Sequence, residues 1–240
     1  MSDLPVYIYV VFFISLITVI LFITSAFFFG IGKNRKSINI LMKYFLGLIF
    51  LWMFGIWLLT LNSFFLDFSA RPIRVIFITL PPALTILILF SQRRGRALIK
   101  NMPLVSLTYI HLVRVPIELV LWWLSRYGLL PSALTFEGQN FDILAGVSAP
   151  FVAIFLIGKH KQQKIGAILW NLAGLMLVVN ILFHGVRTTP YFWNVSISDI
   201  PNQAILHFPF ILLPAIIVPI VIFSHLASIY QLIFKKESPT

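Results

Sequence analysis

The chain has 240 residues, of which 60% are hydrophobic and only 10% charged, and its mean hydropathy is +0.98. An ordinary soluble domain carries about 25% charged residues, so a water-soluble protein is excluded; the lack of cysteine excludes disulfides, thiolate metal sites and thiol catalysis. A formal net charge of +11 would point to nucleic acid in a soluble protein, but in so apolar a chain the first question is where the charges lie.

Seven apolar segments predict an all-α, polytopic membrane protein with seven transmembrane helices, over residues 5–29, 39–61, 72–90, 102–124, 141–157, 165–184 and 204–234. A bilayer-spanning helix needs about 20 apolar residues. In hydrocarbon every backbone polar group must be paired internally, and the segments lack the alternating polarity of a β-barrel, so they are read as helices. The first run has no Lys or Arg before it and is too long for a signal-peptide core, which predicts a retained helix. No linker interrupts the sequence, so residues 1–240 are expected to form a single domain.

Charge orders the loops. Lys33, Arg35 and Lys36 follow the first segment, Arg93, Arg94, Arg96 and Lys100 the third, Lys159, Lys161 and Lys164 the fifth, and Lys235 and Lys236 the last. Asp3, Asp67, Glu137, Asp142 and Asp199 fall at the opposite ends. The positive-inside rule then predicts an N-terminus outside and a C-terminus inside, in a plasma or bacterial inner membrane. The basic excess is read as a topology signal in contact with the lipid bilayer, and no nucleic-acid partner is expected.

The first three segments are nearly free of ionisable groups, whereas the last four are not. In the fourth, His111, Arg114 and Glu118 lie at offsets of three and four residues and share one helix face. A central Arg costs several kcal/mol unless paired, and Glu118, one turn outward, is the expected partner. Pro116 between them removes a backbone hydrogen bond and predicts a kink, with the freed carbonyl satisfied by Arg114. The run Phe136-Glu137-Gly138-Gln139-Asn140-Phe141-Asp142 opens the fifth segment, where Asn140 or Asp142 is expected to cap the helix. The small residues from Ala145 to Pro150 read as close helix packing.

In the sixth segment Asn180 and His184 share a face, and Asn171, pointing elsewhere, reads as interhelical glue. In the seventh, His207 and His225 are five turns apart, so they cannot share one metal. Pro209, Pro214 and Pro219 between them predict a bent helix. Metal ligation by His184, His207 and a carboxylate is a minor alternative without supporting ligand spacing, and no cofactor is expected. The loop from Gly185 to Gln203 is the longest and reads as a lid over the outer side. Within it, Asn194-Val195-Ser196 matches a glycosylation sequon.

Familiar seven-span classes do not fit. The last segment has no Schiff-base lysine, no Asn-Pro-x-x-Tyr and no histidine pair at four-residue spacing. The chain does resemble an uncharacterised bacterial seven-span integral membrane family. The likeness rests on Arg114-Val115-Pro116-Ile117-Glu118-Leu119, on residues 136–142, and on Phe208-Pro209-Phe210 through His225. It implies no activity.

Together these residues suggest a polar, outward-facing cavity in the last four helices, lined by Arg114, Glu118, His111, Asn140, Asp142, Asn180, His184 and His207. Such a cavity would bind or transport a small solute or ion. An intramembrane enzyme acting on a lipid-like substrate, and a non-catalytic partner of another membrane protein or of a second copy, are the alternatives.

Overall fold

The computed structural model describes residues 4–31, 35–158, 163–193 and 198–235. Its helices are α1 (Val6–Ile31), α2 (Arg35–Leu61), α3 (Ile76–Ser91), α4 (Arg93–Asn101), α5 (Leu104–Arg126), α6 (Asp142–Ile157), α7 (Lys164–Arg187) and α8 (Leu213–Phe234). No strand occurs among the described residues.

Five of these, α1, α2, α5, α7 and α8, are long and apolar enough to cross a membrane, and six if the bent pair α3–α4 is one span. The expected fifth segment is the shorter α6. Seven apolar segments therefore exist, but five reach spanning length alone. Of the residues that set the predicted orientation, Asp3, Lys33, Lys159, Lys161 and Lys236 lie outside the described residues, as do the side chains of Arg35 and Lys36 and the sequon at 194–196.

Two boundaries differ from expectation for physical reasons. Arg93, Arg94, Arg96 and Lys100, read as a loop, belong to α4, which turns 91° away from α3 after Gln92 adopts an extended conformation. The Arg96 guanidinium donates to the carbonyls of Phe90 and Ser91, satisfying groups that the end of α3 leaves open.

The last helix begins at Leu213 rather than at 204. Residues 204–206 form one 3₁₀ turn and His207 is extended. Proline disfavours a helical conformation at the residue before it, so Phe208 ahead of Pro209 is pushed out of the helix. Pro214 sits in the first turn of α8, where no N–H is required. That first turn, Leu213–Ile217, is a π turn.

The core is built around α1. Ile8, Phe12, Leu16, Val19, Ile23 and Ala26 form one buried stripe at helical spacing, and Phe12 meets Phe210 edge-on at 5.2 Å. By contrast α2 is held at few points. Phe45 stacks on Phe27 at 4.3 Å, and Trp52 Nε1 donates to the Ala215 carbonyl in the π turn at 3.0 Å. Ile56 is also buried, but much of the helix's remaining surface, including Tyr44, Leu48, Phe50 and Leu51, is exposed apolar area, as expected of a helix facing lipid.

Candidate functional site

The cluster is assembled by α5, α6, α7 and α8. On α5 a 3₁₀ turn over Ile110–Val113 tightens the helix just before Arg114 and Pro116. His111, Arg114 and Glu118 all point inward and are buried. Arg114 leaves α5 sideways and meets groups from three other helices. Its Nε donates to Asp142 Oδ2 at 3.1 Å, and its Nη2 donates to Asp142 Oδ1. Nη2 also reaches the Gly174 carbonyl at 3.3 Å, and Nη1 reaches His225 Nε2 at 3.2 Å.

Arg114 is thus paired with Asp142 at the start of α6, and not with Glu118. A carboxylate on a facing helix meets the Nε–Nη2 edge as a two-point fork. Glu118, one turn along the same helix, is instead held by Asn140. The carbonyl freed by Pro116 is not what Arg114 serves either, since its donors go to Asp142, His225 and Gly174.

The His225 tautomer follows from the network. Asn171 Nδ2 donates to the Ala167 carbonyl at 2.8 Å, which leaves Asn171 Oδ1 as an acceptor 2.9 Å from His225 Nδ1. His225 therefore carries its proton on Nδ1 and accepts from Arg114 through Nε2. Asn171 is the interhelical glue the sequence suggested. Gly174 makes room for the ring, because a Cβ there would lie 2.3 Å from His225 Cε1 and 2.5 Å from Nε2. On the other face of His225 the His111 ring stacks at 3.7 Å, and Trp170 closes on both rings while donating to Ser148 Oγ at 2.9 Å.

Glu118 sits on the opposite side of Arg114. Its Oε1 accepts from Asn140 Nδ2, and its Oε2 is buried without a partner. Asn140 Nδ2 also reaches the Leu134 carbonyl at 3.2 Å, and its Oδ1 accepts the Asp142 amide at 3.1 Å. Asn140 thereby caps the first turn of α6, as expected for one of this pair, and anchors Glu118 as well. The turn that presents it is tight: the Gly138 and Asn140 amides share the Thr135 carbonyl at 2.9 and 3.2 Å, and a Cβ on Gly138 would lie 2.3 Å from Ser132 O.

Between these groups lies a cavity of about 30 Å³, lined by Arg114, Glu118, Asp142, Val178, Leu213 and Val221 among others. One water needs roughly 10–15 Å³ on this measure. The space admits a water or two and no larger solute.

Three expected members lie elsewhere. Asn180 Nδ2 donates to the Gln139 carbonyl at 2.7 Å and stitches α7 to the turn before α6. His184 packs its ring on Phe183 in the last turn of α7. His207 is half-buried on the segment before α8, where burial holds its imidazole below the ordinary histidine value. Among the described residues no group of three or more His, Asp or Glu is placed to hold a metal ion. Of the Gly185–Gln203 segment, Tyr191 Oη donates to the Phe65 carbonyl at 3.1 Å, and Gly185, Val186, Thr189 and Asn202 border an apolar space rather than the charged one.

The member missed in the sequence is His225. The sequence sets it five turns from His207 on the last segment, too far to share one metal with it, and leaves it out of the expected cavity. Its depth in an apolar span, with Ser224 and Ser228 beside it, was the available signal. That it docks against Gly174 is a property of α7–α8 packing, which no single sequence displays.

Fold and site together define a helical protein of membrane-spanning character whose buried ionic cluster is confined to its later helices. The chain belongs to the family described as a domain of unknown function (DUF8737), which it matches over residues 72–233. That stretch includes α3 as well as the four helices on which the resemblance rested, and it holds every residue of the cluster. No curated protein and no solved structure matches the chain.

Proposed function

We propose that the chain is a seven-span protein of the bacterial inner membrane, N-terminus outside, that passes protons through the Arg114–Asp142–Glu118 centre from the outer side. In this reading α3–α4 counts as one bent span and α6 as the seventh. The observation that carries it is Glu118 Oε2, a buried carboxyl oxygen without a partner beside a water-sized cavity shared with Arg114 and Asp142. An unsatisfied buried polar atom costs about 1–3 kcal/mol, and intramembrane ionisable residues mark ion and proton routes. The cavity is too small for a sugar or an amino acid, and in this reading its cargo is a proton carried on water. Arg114 and Asp142 offset each other's charge and hold the site's shape, and Glu118 is the group free to exchange. His111, whose ring nitrogens are both buried without partners, is the next titratable group along α5, about 10 Å below Glu118 by helix rise.

Purified protein in liposomes containing a pH-sensitive dye tests the reading. Under an imposed potassium diffusion potential, wild type should acidify the lumen several-fold faster than empty liposomes. Glu118→Gln should fall to the empty-liposome rate, and His207→Ala should keep the wild-type rate. Equal flux in wild type and Glu118→Gln, or wild-type flux at background, would overturn it.

A second reading, a membrane assembly partner or homo-oligomer, draws on the exposed apolar surface of α2. A stable partner co-purifying in mild detergent, released by polar substitutions at Leu48 and Leu51, would favour it.

A further inference from the structure

A second space in the protein is larger and chemically opposite to the charged cavity. It is a chamber of about 100 Å³ bounded by α3 (Ile78), α5 (Leu121), α7 (Ile181), the start of α8 (Leu213) and the segment before it (Leu206). Its lining is almost wholly apolar. The hydroxyls of Thr79 and Thr189, which also face it, are bonded to the Val75 and Val186 carbonyls at 3.4 and 2.6 Å.

One acceptor remains. Asn202 is 2% exposed and its Oδ1 has no partner. The orientation of its amide is fixed, because Nδ2 donates to the Gly185 carbonyl at 3.3 Å and the backbone N–H donates to the Thr188 carbonyl at 2.7 Å. Asn202 is one of the residues that line the chamber, so Oδ1 is an unpartnered acceptor on a lining side chain. Small-molecule sites have this make-up, an apolar lining with few placed polar groups. An apolar cavity of about 150 Å³ holds a benzene-sized molecule, so this smaller one takes a short aliphatic chain. Val186 on its rim is 42% exposed, so the chamber is not sealed.

We propose that this chamber binds a lipophilic molecule carrying a single hydroxyl, with its apolar part between α3 and α7 and its O–H donating to Asn202 Oδ1. Leu213 and Val218 line both this chamber and the charged cavity. The proposal stands without any proton movement at Glu118.

Photolabelling in liposomes tests it, using a diazirine-bearing short-chain alkanol and the matched diazirine alkane. The alkanol should label Ile78, Leu121, Ile181 or Leu206 saturably, and excess unlabelled alkanol should reduce that labelling at least several-fold. The alkane should label the chamber several-fold less. Asn202→Leu should abolish the difference between the two probes. Ile78→Phe, which fills the chamber and leaves Asn202 and its bonds in place, should remove chamber labelling while leaving labelling of α2 unchanged. Labelling that does not saturate, that is equal for both probes in wild type, or that persists in Ile78→Phe would overturn the proposal. With alkanol competition established, further competition by a hydroxyl-bearing diacylglycerol would extend the site to a membrane lipid, and its absence would assign the site to a free alcohol; either supports it.

Discussion

The helices α1 and α2 and the helices α5 to α8 are made from the same apolar residues and do different work. In α2 only 6% of the most apolar stretch is buried, against 56% in α5 and in α8. In α1 the buried face is hydrophobic apart from Ser15, which bonds to the Val11 carbonyl of its own helix, whereas α5 and α8 bury His111, Arg114, Glu118, Ser224, His225 and Gln231. Polar groups in hydrocarbon cost free energy unless paired. Their concentration in one half therefore requires helices that face one another, and it is the half where a proton route can exist. The N-terminal helices supply a wall and a lipid-facing surface.

The comparison can be broken most sharply at Glu118. Its replacement by Gln is expected to remove proton flux, while Glu137→Gln, at an exposed pair with Arg126, leaves it unchanged. Next in size is the ion pair. Removing one member of a buried pair costs about 3–5 kcal/mol because the other is left uncompensated. Arg114→Met should therefore lower the melting temperature strongly, and Arg114→Met with Asp142→Leu should recover most of it in a thermal scan. Should the double variant melt no higher than the single one, the pair is not what holds α5 to α6.

Packing at the histidine comes third. Gly174→Ala places a methyl against the His225 ring and should destabilise by about 1–3 kcal/mol, whereas Gly185→Ala, with open space around it, should be close to neutral. A core cavity is comparable. In a bilayer the unfolded helices are also in an apolar medium, so the transfer contribution drops out. Truncating Phe210 to Ala leaves roughly 100 Å³ empty and costs about 2 kcal/mol from the cavity alone. Phe50→Ala on exposed α2 should cost almost nothing.

The smallest effect lies outside the membrane. Hydrogen bonds from Ser69, together with the Arg74 guanidinium, hold the Asp67 carboxyl below the usual carboxylate range. A lowered folded-state value means that its contribution is complete above the unfolded value near 3.9 and is lost as pH falls through the folded one. Carbon-detected NMR should show the Asp67 titration moving upward in Ser69→Ala.

Much of this was legible in the sequence and some was not. Apolar segment lengths located every helix except α4, whose bases read as a loop, and residue offsets put His111, Arg114 and Glu118 on one face. Identity of partners across helices was the weak point. Glu118 was the nearest acid to Arg114 along the chain, but Asp142 is nearer in space because the Asn140 turn delivers it there. Pro209 was read as a bend inside a long helix, whereas it helps delay the start until Leu213, and that removes His207 from any span. His225 reaches Arg114 only because α7 and α8 pack at Gly174, a contact with no local signature.

Infrared difference spectroscopy across a pH step, on protein in liposomes, tests the role of Glu118 most directly. The account predicts a carboxyl C=O band that grows and fades reversibly with pH, shifts in D₂O, persists in Glu137→Gln and is absent in Glu118→Gln. A difference spectrum unchanged by Glu118→Gln would contradict it, and would leave the cluster as a fixed joint between helices.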